Sequence, residues 1–516
     1  MIKKLNNLSR DEGRLFFKKE DLGCKLDYVD SSIESFNNSI YKPKHENRKI
    51  KEFKGKLYIK EEVDDTKEII ESLQKRSQIG VDNYQKEANE WLNKNINEVK
   101  GEEKISAIKK GFSNSHIFMI YGSAGVGKTT LMNMFAEIFK DESALCLSVT
   151  NSSVQNLRSK ISNDNFDFMT IESFINSGPT NPSLSLILID ECSMVSNKDM
   201  ASILSKLTDD TIILMSGDTY QIESIEFGNW FKLGQNFLKD DCYVNLTENY
   251  RTSNCYLSNL WNTVRAANAN MGSKENLIEA MLARYNFTSA DVESILNKTS
   301  FNDDEIALCL NYDGLYGLNN INLLLQAQNN NRSYKFGDYI FKPNDPILFK
   351  ANSYYKGMFY NNLKGKIIKI EQEENDIYFT ISVDSKIEYS SNENVEILDF
   401  NDDYSIVKIK IENYQEKHYD DDSSSTTLIP FQLAYAISIH KAQGLEYDSV
   451  KIVITEESEE NISYNIFYTA ITRAKNNLKI YWDPEVQRRV IDRFKPKSPN
   501  DDVDTLIRLF PALKVE

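Results

Sequence analysis

The stretch Phe118-Met-Ile-Tyr-Gly-Ser-Ala-Gly-Val-Gly-Lys-Thr-Thr130 constrains this chain more than any other. The apolar run Ile117 to Tyr121 predicts a buried strand. It leads into Gly122-Ser-Ala-Gly-Val-Gly127-Lys128-Thr129, the spacing G-x-x-x-x-G-K-[ST] of a phosphate loop. Thr130, Leu131, Met132, Met134 and Phe135 then follow at helical spacing. Strand, glycine loop and helix together make a cradle, because loop N–H groups and the helix N-terminus all point at one anion. Gly122, Ser123, Ala124, Gly125, Val126, Gly127 and Thr130 are therefore expected to wrap polyphosphate. Lys128 would reach the β and γ phosphates, and the Thr129 hydroxyl would ligate Mg²⁺.

The remaining composition sets bounds. A chain of 516 residues has room for several domains. With 41% hydrophobic and 27% charged residues it reads as soluble and globular. No apolar run approaches the length that spans a bilayer, and Met1-Ile-Lys-Lys-Leu-Asn-Asn lacks the apolar core of a signal peptide. The expectation is a cytoplasmic protein without membrane contact. Its six cysteines are scattered with no C-x-x-C pair, which argues against a disulfide framework, a zinc finger or an iron–sulfur cluster. A net charge of −16 disfavours a protein that coats nucleic acid, yet leaves room for a narrow groove that holds one strand.

Further strands follow the loop. Leu145 to Thr150 is one, with Asn151, Ser152, Ser153 and Gln155 supplying polar groups after it. Leu184 to Ile189 is another and ends in Asp190-Glu191. A carboxylate pair after an apolar strand suits a Mg-ATPase: Asp190 would hold the metal, directly or through water, and Glu191 would polarise the attacking water. Thr211 to Ser216 is a fourth strand, ending in Gly217-Asp218-Thr-Tyr-Gln221. Alternating strands and helices with polar groups at strand ends predict an α/β fold with a parallel sheet. Near the N-terminus, Leu57-Tyr-Ile-Lys reads as a strand and Thr66 to Gln78 as an amphipathic helix. Later, residues 366–370, 377–383 and 405–411 read as strands between polar turns.

With these segments in order, the chain resembles the superfamily 1 helicases. Ser148-Val-Thr-Asn-Ser152 and Thr170-Ile-Glu-Ser-Phe174 look like motifs Ia and Ic, Asp190-Glu-Cys-Ser-Met194 like motif II, and Ser216-Gly-Asp-Thr-Tyr-Gln221 like motif III. Leu246-Thr-Glu-Asn-Tyr-Arg251 resembles motif IV, residues 435–446 motif V, and Phe467-Tyr-Thr-Ala-Ile-Thr-Arg473 motif VI. Gln443 within His-Lys-Ala-Gln-Gly and the form of motif VI resemble the RecD-like (1B) branch. Glu248-Asn-Tyr-Arg and Leu445-Glu446 lie closer to the UvrD-like branch.

The resemblance implies two RecA-like P-loop lobes with a small SH3-like β-barrel insertion and an N-terminal accessory region. The expected boundaries are 1–78 for the accessory region and 79–240 for lobe 1A, with a short 1B insertion at about 158–168. Lobe 2A would occupy 241–335 and 431–490, the barrel 336–430, and a C-terminal tail 491–516. In the barrel, Asn344-Asp345 stands where the family usually has Gly-Asp.

The same resemblance implies roles. Gln85 would read adenine, Tyr250 would stack on it, and Gly444 and Glu446 would belong to the nucleotide side. Gln221 would sense the γ-phosphate, while Arg251 and Arg473, both from the second lobe, would reach that phosphate. Thr150, Asn151, Thr170, Ser173 and His440 are expected to contact the backbone of single-stranded DNA, RNA not being excluded. Trp230, Tyr354 and Tyr355 are candidate stacking platforms. The implied activity is ATP-dependent DNA unwinding with Mg²⁺, moving 5′→3′. A competing reading is an ATP-switched subunit that gates or recruits a partner, for example a nuclease in DNA repair or phage defence, through residues 1–78.

Overall fold

The computed structural model describes residues 1–41, 45–161, 163–178, 184–222, 224, 226–269, 295, 304–336, 338–350, 355, 358–373, 376–390, 392–401, 403–412, 429–494 and 500–515. The chain divides into two compact units, one of residues 1–258, 264–274 and 495–516, the other of residues 259–263 and 275–494.

The first unit begins with a small antiparallel sheet of β1 (Phe17–Lys18), β2 (Ile50–Phe53) and β3 (Lys56–Ile59), in the order β1-β3-β2. Its main sheet holds β4 (Ile117–Gly122), β5 (Ala144–Ser148), β6 (Phe166–Thr170), β7 (Leu186–Ile189), β8 (Ile212–Gly217) and β9 (Tyr243–Leu246). Their order is β6-β5-β7-β8-β4-β9 and every pairing is parallel. Sheets of this kind are covered on both faces, so their strands read as unbroken apolar runs. Accordingly β5, β7 and β8 are buried at every position. One face packs Tyr84, Leu92, Ile108, Phe112, Leu131 and Phe135. The other packs Ile69, Leu73, Met200, Ile203 and Trp230.

In the first unit four expected boundaries move. The helix Lys60–Arg76 places Ile69 and Leu73 in one core with Ile117 and Met119, so the sheet's own covering begins well before residue 79. Among the described residues of 158–168 no insertion is seen: Arg158 to Lys160 end the helix Asn151–Lys160, and Phe166 opens the edge strand β6. Strand β9 pairs with β4, so the segment from 241 to Arg251 belongs to the first unit. The last residues are not a loose tail. The helix Asn500–Leu509 buries Leu506 against Leu15, Phe16 and Tyr58, and Asp502 accepts hydrogen bonds from the backbone N–H of Leu15 (2.9 Å) and Phe16 (3.2 Å).

The second unit carries a parallel sheet, β19-β10-β20-β21, from β10 (Glu305–Cys309), β19 (Ala436–Ser438), β20 (Tyr447–Val453) and β21 (Ala474–Tyr481). Between β10 and β19 lies a hairpin of β11 (Tyr334–Phe336) and β12 (Tyr339–Phe341). An antiparallel sheet follows, β16-β17-β15-β14-β13-β18. It comprises β13 (Pro346–Phe349), β14 (Lys364–Glu373), β15 (Asp376–Val383), β16 (Val395–Phe400), β17 (Ser405–Glu412) and β18 (Phe431–Leu433). In β15 alternate residues are buried, the pattern of a sheet with one wet face. Because β18 pairs with β13, residues 431–433 belong to this sheet rather than to the parallel one.

Asn344 takes φ 69°, a left-handed conformation that asparagine tolerates and glycine adopts freely. That accounts for asparagine at the position of the family's glycine. Its neighbour Asp345 is fully buried and accepts from Asn329 Nδ2 (2.8 Å), the Tyr435 hydroxyl (2.8 Å) and the Lys342 N–H (2.8 Å). One carboxylate thus joins the hairpin to the parallel sheet, and burial raises its pKa.

Candidate nucleotide-binding site

Parallel strands end on one edge of a sheet, and in the first unit that edge gathers the loop after β4, Thr150 after β5, Asp190 after β7 and Asp218 after β8. The loop turns at Gly125 (φ 83°) and Gly127 (φ 84°), conformations closed to most side chains. A Cβ on Gly125 would also lie 2.3 Å from Arg251 Cβ. Lys128 folds back so that its Nζ donates to the carbonyls of Gly122 (3.0 Å) and Ser123 (3.1 Å).

Asp190 is held from three sides. Its Oδ2 accepts from Thr129 Oγ1 at 3.3 Å, and its Oδ1 accepts from Ser216 Oγ and from the Glu191 N–H at 2.9 Å. One carboxylate and one hydroxyl side by side form a donor set that suits Mg²⁺, which takes few protein ligands and completes its shell with phosphate and water. Glu191 adopts φ 56°, a left-handed turn that directs its side chain separately from that of Asp190. Gln221 is buried and donates to Asp218 Oδ2 at 3.1 Å.

The segment after β9 closes over the loop. Asn249 Nδ2 donates to Ala124 O (3.0 Å), the Tyr250 N–H donates to Gly125 O (2.7 Å), and Asn249 Oδ1 accepts from the Arg251 N–H (3.0 Å). The expectation that Arg251 comes from a second lobe is therefore corrected: it is anchored on the phosphate loop itself. The Tyr250 hydroxyl donates to Glu248 Oε2, and that bond pushes the phenol up to about 12. Over the Tyr250 ring lies Lys104 Nζ, 3.9 Å from the centroid, at the start of the helix Glu102–Lys110. Burial lowers the pKa of Lys104, while Glu248 and Glu103 oppose that shift.

Gln85 is not part of this edge. It is exposed and lines a shallow cleft with Lys109, Ser113, Asn114 and Asp241, beside the start of β4 rather than its end. The helix that reaches the loop is Glu102–Lys110, whereas Gln85 lies on the preceding helix, Tyr84–Asn95. Lys104, Asn249 and Ser216 escaped the sequence reading. The signal for Lys104 was available, since its amphipathic helix directly precedes β4. Asn249 gave no chemical signal of its own, because its amide serves the loop backbone.

Among the expected strand contacts, Thr150 and Thr170 lie at the ends of adjacent strands, with Ser148 opposite Thr170 in register. Each caps a helix: Thr150 Oγ1 accepts from Ser153 N (3.1 Å) and Thr170 Oγ1 from Ser173 N (3.2 Å). Asn151 and Ser173 are exposed beside them. Two stacking candidates are corrected. Trp230 is buried in the sheet core with its indole N–H on Val195 O (2.9 Å), and Tyr355 is buried in the antiparallel sheet's core. Tyr354 lies outside the described residues.

In the second unit His440 is exposed just after β19, and Gly444 turns with φ 73°. Glu446 Oε2 lies 3.5 Å from Lys475 Nζ. Arg473 is buried, donating to Thr469 O (3.0 Å) and Leu445 O (3.2 Å).

Residues 101–284 match the family model of an AAA domain, and residues 433–481 match that of the UvrD-like helicase C-terminal domain. These two matches are consistent with a superfamily 1 helicase of the RecD-like branch. Among similar proteins, the ATP-dependent DNA helicase Pif1 of Campylobacter jejuni is 24% identical, over 72% of this chain and 90% of its own. The RecBCD enzyme subunit RecD of Buchnera aphidicola is 22% identical, over 84% and 81%. A crystal structure of Bacteroides Pif1 bound to single-stranded DNA is 18% identical, with a TM-score of 0.47, covering 80% of this chain and 97% of its own. The model of the AAA domain begins at 101, one residue before the helix that carries Lys104.

Proposed function

We propose that this helicase hydrolyses ATP to move along single-stranded DNA in the 5′→3′ direction and to part duplex ahead of it. The observation that carries the reading is Asp190, joined to Thr129 of the phosphate loop and to Ser216 at one sheet edge. That arrangement belongs to nucleotide hydrolysis, and the relatives named above are DNA helicases or helicase subunits.

The chain's own residues would act as follows. Loop N–H groups and Lys128 bind the phosphates and hold them in line. Thr129 and Asp190 would hold Mg²⁺, which offsets the phosphate charge. Glu191 orients and deprotonates the attacking water, and Gln221 positions it against the γ-phosphate. Arg251 and Arg473 supply fixed positive charge to the phosphoryl oxygens as the bond breaks. Tyr250 packs against the base, and Gly444 and Glu446 serve the nucleotide from the second unit. Thr150, Asn151, Thr170, Ser173 and His440 hold the strand by its backbone. The antiparallel sheet of β13 to β18 serves as an SH3-like insertion of the second lobe.

Direction is tested by unwinding of duplexes with a 5′ or a 3′ single-stranded tail. The proposal requires unwinding of the 5′-tailed substrate and little of the 3′-tailed one. The reverse preference would overturn the direction, and unwinding of neither would overturn the helicase reading.

A further inference from the structure

The mouth of the phosphate loop is lined on one side by a lysine. Lys104 is nearly fully buried at 4% exposure, and its Nζ lies between the Tyr250 ring, 3.9 Å from the centroid, and Gly127. A Cβ placed on Gly127 would meet that nitrogen at 3.0 Å and the Lys104 Cε at 3.2 Å. Tyr250 is 43% exposed, and its orientation is fixed by the hydroxyl bond to Glu248. An aromatic face beside a phosphate cradle is a stacking surface for a nucleobase. The groups around that face determine which base fits best.

Two of those groups are already engaged. Asn249 donates from Nδ2 to Ala124 O, and its Oδ1 accepts from the Arg251 N–H. Glu248 accepts from the tyrosine hydroxyl. Lys104 remains, and an ammonium can only donate. A purine presents N7 and one exocyclic group on the edge such a donor would meet. Guanine offers two acceptors there, N7 and O6, whereas adenine offers the N7 acceptor beside an N6 amino donor.

We propose that Lys104 reads the base of the bound nucleotide, so that this site accepts GTP at least as well as ATP. The purine takes the Tyr250 face that the ammonium now covers. Lys104, on its flexible four-carbon stem, moves to the N7 edge. This rests on the reading of Gly122 to Thr129 as the phosphate cradle, and it assigns that site a purine preference rather than an adenine preference.

The test is equilibrium binding of ADP, GDP, CDP and UDP to the full chain by calorimetry, followed by steady-state hydrolysis of the four triphosphates with single-stranded DNA present. The expected result is GDP binding equal to or tighter than ADP, both tighter than the pyrimidine nucleotides. An amide pairs with adenine N6 and N7, so Lys104→Gln should shift the GDP-to-ADP preference toward ADP by about tenfold. Lys104→Arg, which still only donates, should keep the wild-type ratio and shows that the site tolerates substitution. Equal loss for all four nucleotides in Lys104→Gln would place the lysine on phosphate and overturn the proposal. So would strong ADP preference in the unchanged chain. Failure to bind any nucleotide would instead refute the phosphate-cradle reading beneath it.

Discussion

At Asp190 a single carboxylate accepts from Thr129, from Ser216 and from the next backbone N–H. Such a group is fixed before substrate arrives, so little reorganisation remains when phosphate charge develops. Lys128 is different: its Nζ rests on two loop carbonyls, bonds that it can exchange for phosphate oxygens. Lys128→Ala should therefore leave the circular dichroism spectrum and unfolding midpoint close to wild type while reducing ATP turnover by about a thousandfold. Turnover within a few-fold of wild type would reject the site. That Lys128, Thr129 and Asp190 gather at one sheet edge was legible because motif chemistry demands particular residues at fixed spacing. Gln85 was misread for a physical reason. Two amphipathic helices precede β4, either could bring a side chain to the nucleotide, and only packing shows that Glu102–Lys110 is the one against the loop. Trp230 misled in another way, since an aromatic beside a motif looks the same in sequence whether it stacks on a base or fills a core.

Among the elements, the buried strands β4, β5, β7 and β8 could be read directly, because parallel strands covered on both faces are continuous apolar runs. The edge strand β6, with Asp167 exposed, carries a weaker signal, and in sequence it reads as part of an insertion. The C-terminal helix Asn500–Leu509 could not be foreseen as a partner of residues 15 and 16, since nothing local records a contact across the whole chain length. Its anchor has a measurable signature. Burial pushes the Asp502 carboxyl up to about 6, against the opposing pull of the two N–H bonds and of Arg14. A raised carboxylate contributes stability that is full below its unfolded pKa and is lost as pH rises through about 6. The loss is on the order of 3 kcal/mol across that window. Asp502→Asn cannot ionise, so its urea-unfolding midpoint should fall less than that of wild type between pH 4 and pH 7. Parallel slopes for the two proteins would show that this carboxyl does not titrate in that range.

For the molecule as a whole, the first unit carries the phosphate loop, Asp190, Glu191, Gln221 and Arg251, together with the small N-terminal sheet and the C-terminal helix. The second carries Arg473, Gly444, Glu446 and His440 around its own parallel sheet. The proposed function couples hydrolysis to a strand, so its central claim is a coupling and not a single site. The direct test is the rate of ATP hydrolysis by the purified chain alone, with single-stranded DNA, and with single-stranded RNA. The account predicts a low basal rate and strong stimulation by DNA. A rate indifferent to both polymers would contradict it and would point to a nucleotide switch that answers to a protein partner.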